Sequence, residues 1–332
     1  MTPTVLISDP AGFNTQRVPV TGVSCSWAVE GTGSLSAEVK SSDLVTYGLN
    51  DELRGHRIVI EDDDAGTWSG KISDVQPNGD GTTEIAAGDN KTHFEAIRLP
   101  KRSRALYGPA GTVALQAITE STRRHGTPIK VRTADDFGLS VALDLDGSDL
   151  RNALDSIANE SGQEWWIDPD TFELRWGIKG YDLTNSVQLI EGKHIADWRA
   201  PTSLDPVIND LEAFPTSDYA AMRQTVRVEN GASIAAVGLR QDSQGIAAGT
   251  HGIHIRSRAI GLVNELAQLG QSLEFDVLNV DRVWADYREG DTVCVLLPSI
   301  SVQLTARIMA RSLDESRVMS VSADVISRRL VA

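Results

Sequence analysis

Two stretches of the chain, about 235 residues apart, share one pattern of apolar and polar residues. Each stretch reads as a strand, a short loop, a second strand, a turn and a third strand. The first copy comprises Gly55–Ile60, Trp68–Val75 and Thr83–Asp89, and the second comprises Gly290–Val295, Leu304–Arg311 and Val318–Asp324. Because few residues are identical, two interpretations stay open: a duplicated β-unit, or two unrelated three-stranded meanders. If the duplication is real, a ring of three such chains presents six similar units.

Length and charge limit the kind of protein this is. A chain of 332 residues predicts two or three domains with sizeable cores. Its 41% apolar and 23% charged residues are typical of a soluble globular protein. The net charge of −15 argues against nucleic-acid binding through phosphate contacts, which need clustered Lys and Arg. The low aromatic content of 5% argues against a carbohydrate-binding surface built on stacking.

The two cysteines and the N-terminus carry no special signal. Cys25 and Cys294 each lie in an apolar, strand-like run, so we expect both to be small buried residues. Residues Met1–Pro10 lack a basic segment followed by a long apolar one, so no signal peptide is expected. The sequence has no run of the ~18 apolar residues that a membrane span needs. We therefore expect a protein assembled in the cytoplasm without stable membrane insertion.

Residues 1–98 are predicted to form a first β-barrel-like domain. Ser34–Val39 alternates polar and apolar residues, as a half-buried strand does. Arg57–Glu61 and Thr67–Val75 are predicted strands, and the turn at Asn78–Gly81 predicts a hairpin that returns along Thr82–Ala87.

Residues 99–202 change character and predict a small α+β domain. A first helix is expected from a cap at Thr112 to about Gly126. A second helix is expected from a cap at Asp146 or Ser148 to a stop at Gly162. The strands that follow are predicted at Trp165–Asp168 and Phe172–Trp176. The unit is therefore predicted as helix, helix and hairpin.

Residues 203–332 are predicted to form a second β-barrel-like domain. Besides the second copy of the repeat, the expected strands are Val207–Phe214, Thr225–Val228, Ser233–Leu239 and Ser272–Leu278. One helix is expected at 258–269, with Ile260, Val263, Leu266 and Ala267 on one side. The predicted fold class is mainly β with an α+β insertion, in which two related β-barrel-like domains flank a small helix-helix-hairpin domain.

Three groups of residues were considered as metal sites. The acidic run Asp62–Asp64 before Gly66, and the group Asp144, Asp146 and Asp149, lack the ligand spacing of a known calcium loop. A solvated turn and an acidic helix N-terminus explain them better. His251 and His254 have no partner Glu at a recognised zinc spacing. No metal or cofactor site is predicted.

Two groups of residues were considered as sites for sugar chemistry. Glu160, Glu164, Asp168 and Asp170 could supply the acid pair of a glycosidase, but their separation in space cannot be taken from sequence. Trp165, Trp166 and Trp176 are expected in a core rather than on a sugar platform. No nucleophile elbow, phosphate loop or dinucleotide fingerprint occurs. No catalytic residue is predicted, and the chain is not expected to be an enzyme.

Several segments, in order along the chain, resemble those of a known family. Trp68–Val75 resembles the F-x-G-x-V-x-D-V element of phage tail hub proteins, and Leu150–Asp168 is similar to the helix and strand of that family. Asp205–Asn209 resembles its entry into the second β-domain, and Gly290–Val293 its late G-D-x-V strand start. The family includes baseplate hubs, the tail-associated proteins of long-tailed phages and the base of type VI secretion spikes.

The resemblance implies a structural, trimeric hub at a tail tip in the virion. It implies a pseudo-sixfold ring that adapts a sixfold tail tube to a threefold tip and lets DNA pass during ejection. Implied partners are further copies of this chain, distal tail or tube proteins, a tip fibre or spike protein and the tape-measure protein, without sequence-specific nucleic-acid binding. Because the sequence ends at Ala332 without a long extension, fibre, spike or hydrolase functions are expected on other chains. The alternative function is a host-envelope-degrading or sugar-binding tail protein.

A hub that DNA crosses should not hold phosphate, so we expect the side chains facing the channel to be acidic or neutral overall. The candidates are Asp62–Asp64, Asp80, Asp291 and Asp314–Glu315, on turns and strand ends. The sequence does not tell which of them face inward.

Overall fold

The structure is a computed structural model in which strands far outnumber helices. It describes residues 4–10, 12–49, 53–100, 106–123, 129–131, 140–143, 148–200, 202–203, 207–215, 225–246, 256, 259–260, 262–263, 267 and 270–330. The largest sheet has 14 strands, and nearly all of its neighbouring pairs are antiparallel. The predicted mainly β class is therefore confirmed.

The first β region contributes seven strands and a short helix. The strands are β1 (Thr4–Ser8), β2 (Gln16–Pro19), β3 (Gly22–Ala28), β4 (Ser34–Lys40), β5 (Arg57–Asp62), β6 (Gly66–Pro77) and β7 (Thr82–Asp89). Helix α1 (Ser41–Thr46) follows β4, and a 3-10 helix at Asn90–Phe94 follows β7.

The middle of the chain forms a separate core of two helices and short strands. Its elements are β8 (Leu106–Pro109), α2 (Ala110–Thr122), β9 (Lys130–Val131), β10 (Ser140–Leu143), α3 (Leu150–Ser161), β11 (Glu164–Ile167) and β12 (Glu173–Gly177). Helix α3 packs against β11 of the β11–β12 hairpin and α2 packs against α3, so that both helices and the hairpin share one core, as predicted. Helix α3 starts at a different cap from the expected one, because the Asp149 carboxylate accepts from the Asn152 N–H at 2.8 Å. Helix α2 begins at Ala110, before the expected Thr112 cap.

The chain then returns to β structure. The strands are β13 (Gln188–Ile190), β14 (Ile195–Arg199), β15 (Thr202–Ser203), β16 (Asp210–Pro215), β17 (Val226–Glu229), β18 (Gln241–Ile246), β19 (Gly270–Val277), β20 (Thr292–Leu297), β21 (Val302–Leu313) and β22 (Met319–Leu330). Helix α4 (Gly231–Val237) and 3-10 helices at Val280–Asp286 and Pro298–Ile300 complete the described elements.

Two expectations in this last region need correction. The strand expected at Ser233–Leu239 is helix α4, because the Asn230 side chain caps it by accepting from the Ser233 N–H at 3.1 Å. At the helix expected over 258–269, Ala259, Ile260 and Val263 are helical, and Val263 and Ala267 are buried together as their expected position on one side predicts, whereas Ile260 is 42% exposed. Ile260 therefore does not share the buried side of Val263 and Ala267, and Leu266 lies outside the described residues.

The repeat read from the sequence has the same strand order in both copies. The first copy runs β4, α1, β5, β6, β7, and its strands lie in the spatial order β4-β7-β6-β5. The second runs β19, the 3-10 helix at Val280–Asp286, β20, β21, β22, and its strands lie in the order β19-β22-β21-β20. Two unrelated meanders would not be expected to share the preceding strand and the helix as well. The order therefore favours the duplication.

The irregularities of the two copies also correspond. The Gly55 N–H donates to the Ile72 carbonyl at 2.8 Å, and the Gly290 N–H donates to the Ile308 carbonyl at 2.7 Å. Both glycines have positive φ, +86° and +95°. In each copy the register shifts immediately after the isoleucine, at Ile72/Asp74 in β6 and at Ile308/Ala310 in β21. A bulge in the same place is a feature that the two copies share in detail.

The two copies belong to one continuous sheet. Strand β3 pairs with β4 of the first copy and also with the end of β21 of the second copy. No closed barrel is formed by the strands in the described ranges. One large core accordingly contains residues of both β regions. The domain boundaries at 98/99 and 202/203 stay predictions.

Candidate functional site

One face of the 14-stranded sheet is polar and open to solvent. Opposite residues of antiparallel strands point to the same face, so the paired register assigns each side chain to a face. The apolar residues, such as Ile85 opposite Ala37 and Val321 opposite Phe275, point into the core. The other side chains form a surface that we call the polar face: Ser24, Ser26, Ser34, Ser36, Glu38, Glu84, Glu274, Asp276, Ser312, Ser320, Ser322 and Asp324.

A row of serines crosses the joint between the two copies. Ser320 lies opposite Ser312, and Ser312 lies opposite Ser26. The hydroxyls of Ser26 and Ser34 are 2.9 Å apart. Four neighbouring strands thus present short hydroxyl side chains, which cover the sheet with hydrogen-bonding groups but add little bulk.

Carboxylates lie beside this row. Glu38 lies directly opposite Glu84, and the Ser36 hydroxyl donates to Glu84 Oε1 at 3.3 Å. Asp276 accepts a hydrogen bond from the Ser320 hydroxyl at 2.7 Å. Like charges that face each other across a strand pair are destabilising, so folding stability does not explain the Glu38–Glu84 pair. Both carboxylates are negatively charged and therefore repel an anion.

Most cations on the same face lie at strand ends or are held by other groups; Lys71, in β6 opposite Gly88, is half-buried. Lys40 ends β4 and Arg199 ends β14, and both are exposed. Arg307 points to this face, but Glu164 of the middle region binds its guanidinium at 2.8 Å. The centre of the polar face therefore carries hydroxyls and carboxylates.

Most of the acidic residues expected at a channel lie elsewhere. The Asp62 carboxylate contacts Arg317 at 2.8 Å, and Asp64 contacts Arg282 at 2.7 Å. Asp291 is buried and accepts from the N–H groups of Tyr181 and Arg288. These three carboxylates hold the fold together, because each is engaged by neighbouring donors.

The remaining expected residues lie at turns. Asp80 lies in the β6–β7 turn, where its carboxylate accepts from the Thr82 N–H and hydroxyl. Asp314 and Glu315 lie in the equivalent β21–β22 turn and are exposed. Sequence reasoning missed the polar face, although its signal was present: serine and acid alternate with apolar residues in β4 and in β22.

The residues considered for metal binding do not come together. Within the described ranges, no group of three His, Cys, Asp or Glu side chains is arranged to hold a metal ion. Asp149 caps α3. Asp144, Asp146, His251 and His254 lie outside the described residues.

The residues considered for sugar chemistry have structural contacts. Glu164 binds Arg307, and the Asp168 carboxylate accepts from the Asp170 and Thr171 N–H groups and closes the hairpin turn. Glu160 lies half-buried on α3.

The tryptophans lie where a core position was expected. Trp165 and Trp176 are buried, and their Nε1 atoms donate to Asp155 at 2.8 Å and to Gln163 at 2.7 Å. Trp166 is half-buried. The predicted core position of the first two rings is confirmed, and these rings cannot form a platform for a sugar.

A buried ionic cluster fixes the sheet at the joint of the two copies. Arg311 of β21 is 1% exposed and binds the Glu289 carboxylate at 2.9 Å. Lys179 binds the other carboxylate oxygen at 2.6 Å. Burial by itself would raise the pKa of Glu289, but the cations of Lys179 and Arg311 lower it to about 2. Glu289 is therefore ionised at neutral pH.

The cysteines take no part in this arrangement. Both are buried, as predicted. Burial raises the pKa of the Cys25 thiol to about 12 and also raises the pKa of Cys294. The thiolate is the reactive form, so neither cysteine is reactive at neutral pH. Among the described residues, no helix has the length and apolar character needed to cross a bilayer.

Neither the comparison with family models nor that with curated proteins finds a match. Solved structures match along nearly the whole chain. The tail protein gp18 of a Listeria monocytogenes prophage has a TM-score of 0.67 at 11% identity, over 97% of this chain and 94% of its own. The 43 kDa tail protein of prophage MuSo2 from Shewanella oneidensis has a TM-score of 0.65 at 14% identity, over 97% and 98%.

A type VI secretion component from E. coli, described as structurally similar to the T4 phage tail proteins gp27 and gp5, aligns more distantly. Its TM-score is 0.51 at 9% identity, over 93% of this chain and 73% of its own. These neighbours are tail and secretion components, and no enzyme family is indicated. The resemblance predicted from the sequence is confirmed at the level of structure: this chain has the fold of phage tail proteins and of their type VI secretion counterpart.

Proposed function

We propose that this protein is a structural hub of a phage tail tip or baseplate, assembled in the host cytoplasm and incorporated into the virion. In this proposal three copies form a ring, and the two copies of the repeat in each chain give the ring six similar units. Such a ring adapts a sixfold tail tube to a threefold tip. The observation that carries the proposal is the repeated strand order, β4-β7-β6-β5 and β19-β22-β21-β20, within one sheet.

The polar face is the proposed wall of the channel. DNA is a polyanion, and each phosphate held by a protein cation adds affinity. The central serines, with Glu38, Glu84 and Asp276 beside them, offer neither cations nor large side chains to a passing strand. The face would let DNA pass without binding it. The sequence predicts a channel wall that is acidic or neutral, and we propose such a wall here. The residues that would form it differ from the candidates named from the sequence.

The proposed partners follow from the ring. Distal tail or tube proteins would bind one side of it, and a tip fibre or spike protein the other, with the tape-measure protein at its centre. The alternative of an envelope-degrading or sugar-binding protein has weaker support, because Glu164, Asp168, Trp165 and Trp176 are engaged in structural contacts.

Image averages of the purified protein down the particle axis test the proposal. We expect a threefold ring with six similar densities around a channel wide enough, when open, for a ~20 Å DNA duplex. Sedimentation of the same sample should give the mass of three chains. A protein that stays monomeric at micromolar concentration, or a ring whose channel is lined by unpaired arginines, would overturn the proposal.

A further inference from the structure

The joint between the two copies of the repeat is a strand pair. The end of β21, Ala310–Leu313, runs antiparallel to Cys25–Ala28 of β3. Strand β21 can do this because β20 covers only its first half, Val302–Arg307. The second half is thereby free to accept β3, which is also the outer neighbour of β4 in the first copy.

Each partner of this joint has an equivalent in the other copy. The bulge after Ile72 and Ile308 aligns β6 with β21, and therefore Asp74–Pro77 with Ala310–Leu313. Strand β14 takes the place of β3, because it is the outer neighbour of β19 as β3 is of β4. The pairing with β19 continues in one register from β14 into β15.

Within one chain, these equivalents are open edges. Strand β5 pairs with β6 only as far as Lys71, so Asp74–Pro77 has a partner on one side, β7, and none on the other among the described strands. Strand β14 ends the strand path of the sheet, with six strands between it and β6, and among the described residues only its first residue, Ile195, has a bridge on the outer side, to Glu191. Asp74, Gln76 and Pro77 are exposed. Native proteins rarely leave strand edges open, because such edges pair with other chains.

We propose that these two edges pair with each other between copies of this chain. Asp74–Pro77 of one copy would run antiparallel to the β14–β15 edge of the next copy, and thereby repeat the β21–β3 joint. In the β21–β3 joint, Ala310 lies opposite Ala28, Arg311 opposite Trp27 and Leu313 opposite Cys25. Replacing each of these residues by its equivalent in the other copy places Asp74 opposite Ser203, Val75 opposite Thr202 and Pro77 opposite Ala200. The inference rests on the proposed trimer and names the surface through which it would form.

The ring geometry follows from the type of contact. The two edges are different surfaces, so the interface is head-to-tail, and such interfaces either close into a ring or continue as a filament. The joint between chains would have the same strand pairing as the joint inside each chain. The polar face of one chain would therefore continue onto the polar face of the next chain. A closed ring of three would then have one unbroken sheet around its channel.

An engineered disulfide tests the pairing. The Val29 N–H donates to the Met309 carbonyl, so the next pair, Ala28 with Ala310, is a non-hydrogen-bonded pair. Such pairs have Cα atoms ~4.5 Å apart, which is within the range of a disulfide. The equivalent pair between copies is Asp74 with Ser203. The double variant Asp74→Cys, Ser203→Cys should therefore crosslink on mild oxidation.

The matched control is Asp74→Cys with Thr202→Cys, in which the second thiol moves to the opposite face of the strand. Each single variant is a further control, and the native Cys25 and Cys294 are buried. On a denaturing gel without reductant, we expect covalent dimer and trimer, and no larger species, from the first pair alone. A ladder that continues beyond trimer would support the edge pairing and overturn the closed ring.

The outcomes separate this inference from the proposed function. A threefold ring in images of the double variant, without a crosslink above that of the control pair, would overturn the edge pairing and leave the hub proposal standing. A protein that neither crosslinks nor forms trimers would overturn both.

Discussion

Replacing Arg311 by methionine tests whether the buried cluster holds the two copies of the repeat together. The Arg311 guanidinium donates to Glu289 at 2.9 Å and 3.3 Å, and to the carbonyls of Tyr287 at 3.2 Å and Ala65 at 3.3 Å. It also lies 5.1 Å from the centre of the Trp27 ring. Ala65 and Trp27 belong to the first copy region, whereas Arg311 belongs to the second, so this side chain crosses the joint.

The stability that Arg311→Met is expected to lose depends on the groups that the substitution leaves buried without Arg311 as a partner. Methionine fills most of the volume but leaves the Glu289 carboxylate buried with Lys179 as its remaining cation. Removing one partner of a buried ion pair costs ~3–5 kcal/mol. The lowered pKa of Glu289 points the same way, because a fall from 4.5 to about 2 on folding stabilises the native state by roughly 3 kcal/mol at neutral pH, and Arg311 supplies the part of it that Lys179 does not.

The Glu289 carboxyl also determines how the free energy of unfolding depends on pH. The folded pKa lies below the unfolded one, so the stabilisation by Glu289 is complete above pH 4.5 and is lost as the pH falls from about 4.5 toward 2. In the Arg311→Met variant the pKa of Glu289 should rise toward its ordinary value. The variant should therefore lose less further stability than the wild type over this acid range.

Urea unfolding at a fixed protein concentration, followed by tryptophan fluorescence, measures both effects. The control is Arg17→Met, because the Arg17 side chain is 64% exposed and pairs at the surface with Glu61, which is 60% exposed. Such a surface pair contributes ~0–1 kcal/mol. Adding Glu289→Gln to Arg311→Met should restore part of the loss. If Arg311→Met lowers the free energy of unfolding no more than Arg17→Met does, the cluster does not hold the joint.

Three further predictions concern a helix cap, a backbone contact and the polar face. Asp149→Ala should lower the free energy of unfolding of the middle unit by ~1 kcal/mol, measured by urea unfolding, whereas Asp149→Asn should keep most of the cap. Gly290→Ala should destabilise strongly, since its φ is +95° and the added Cβ would lie 2.7 Å from the Lys179 carbonyl oxygen; Gly79→Ala, in open space, should change the melting temperature little. Reversing the carboxylates of the polar face with Glu38→Lys, Glu84→Lys and Glu274→Lys should give the assembled protein salt-dependent affinity for duplex DNA, measured by fluorescence anisotropy. A triple variant that binds no more tightly than the wild type would show that this face does not meet DNA.

Local patterns determined much of this fold from the sequence alone. The alternation in Ser34–Val39 and the turn at Asn78–Gly81 predict strands and a hairpin, because a strand's period of two and a tight turn's need for positive φ are local properties. The duplication was visible for the same reason, since each copy carries its own turns and alternation. Where a local signal was overlooked, as with the Asn230 cap, a helix was mistaken for a strand.

The polar face illustrates what a sequence shows only in part. The alternation of serine and acid in β4 and β22 assigns these residues to one side of their own strands. It does not tell that Ser26, Ser312 and Ser320 lie side by side, because their neighbours come from strands far apart in the chain.

Only the tertiary structure decided how the two copies are joined. The pairing of β3 with β21 links residues that are nearly 300 positions apart, and no local property of either strand specifies that partner. The burial of Arg311, the choice of Glu289 as its partner and the open edges of β6 and β14 all depend on this joint. The physical reason is that strand edges are chemically alike, so the selection among them is made by packing of the whole core.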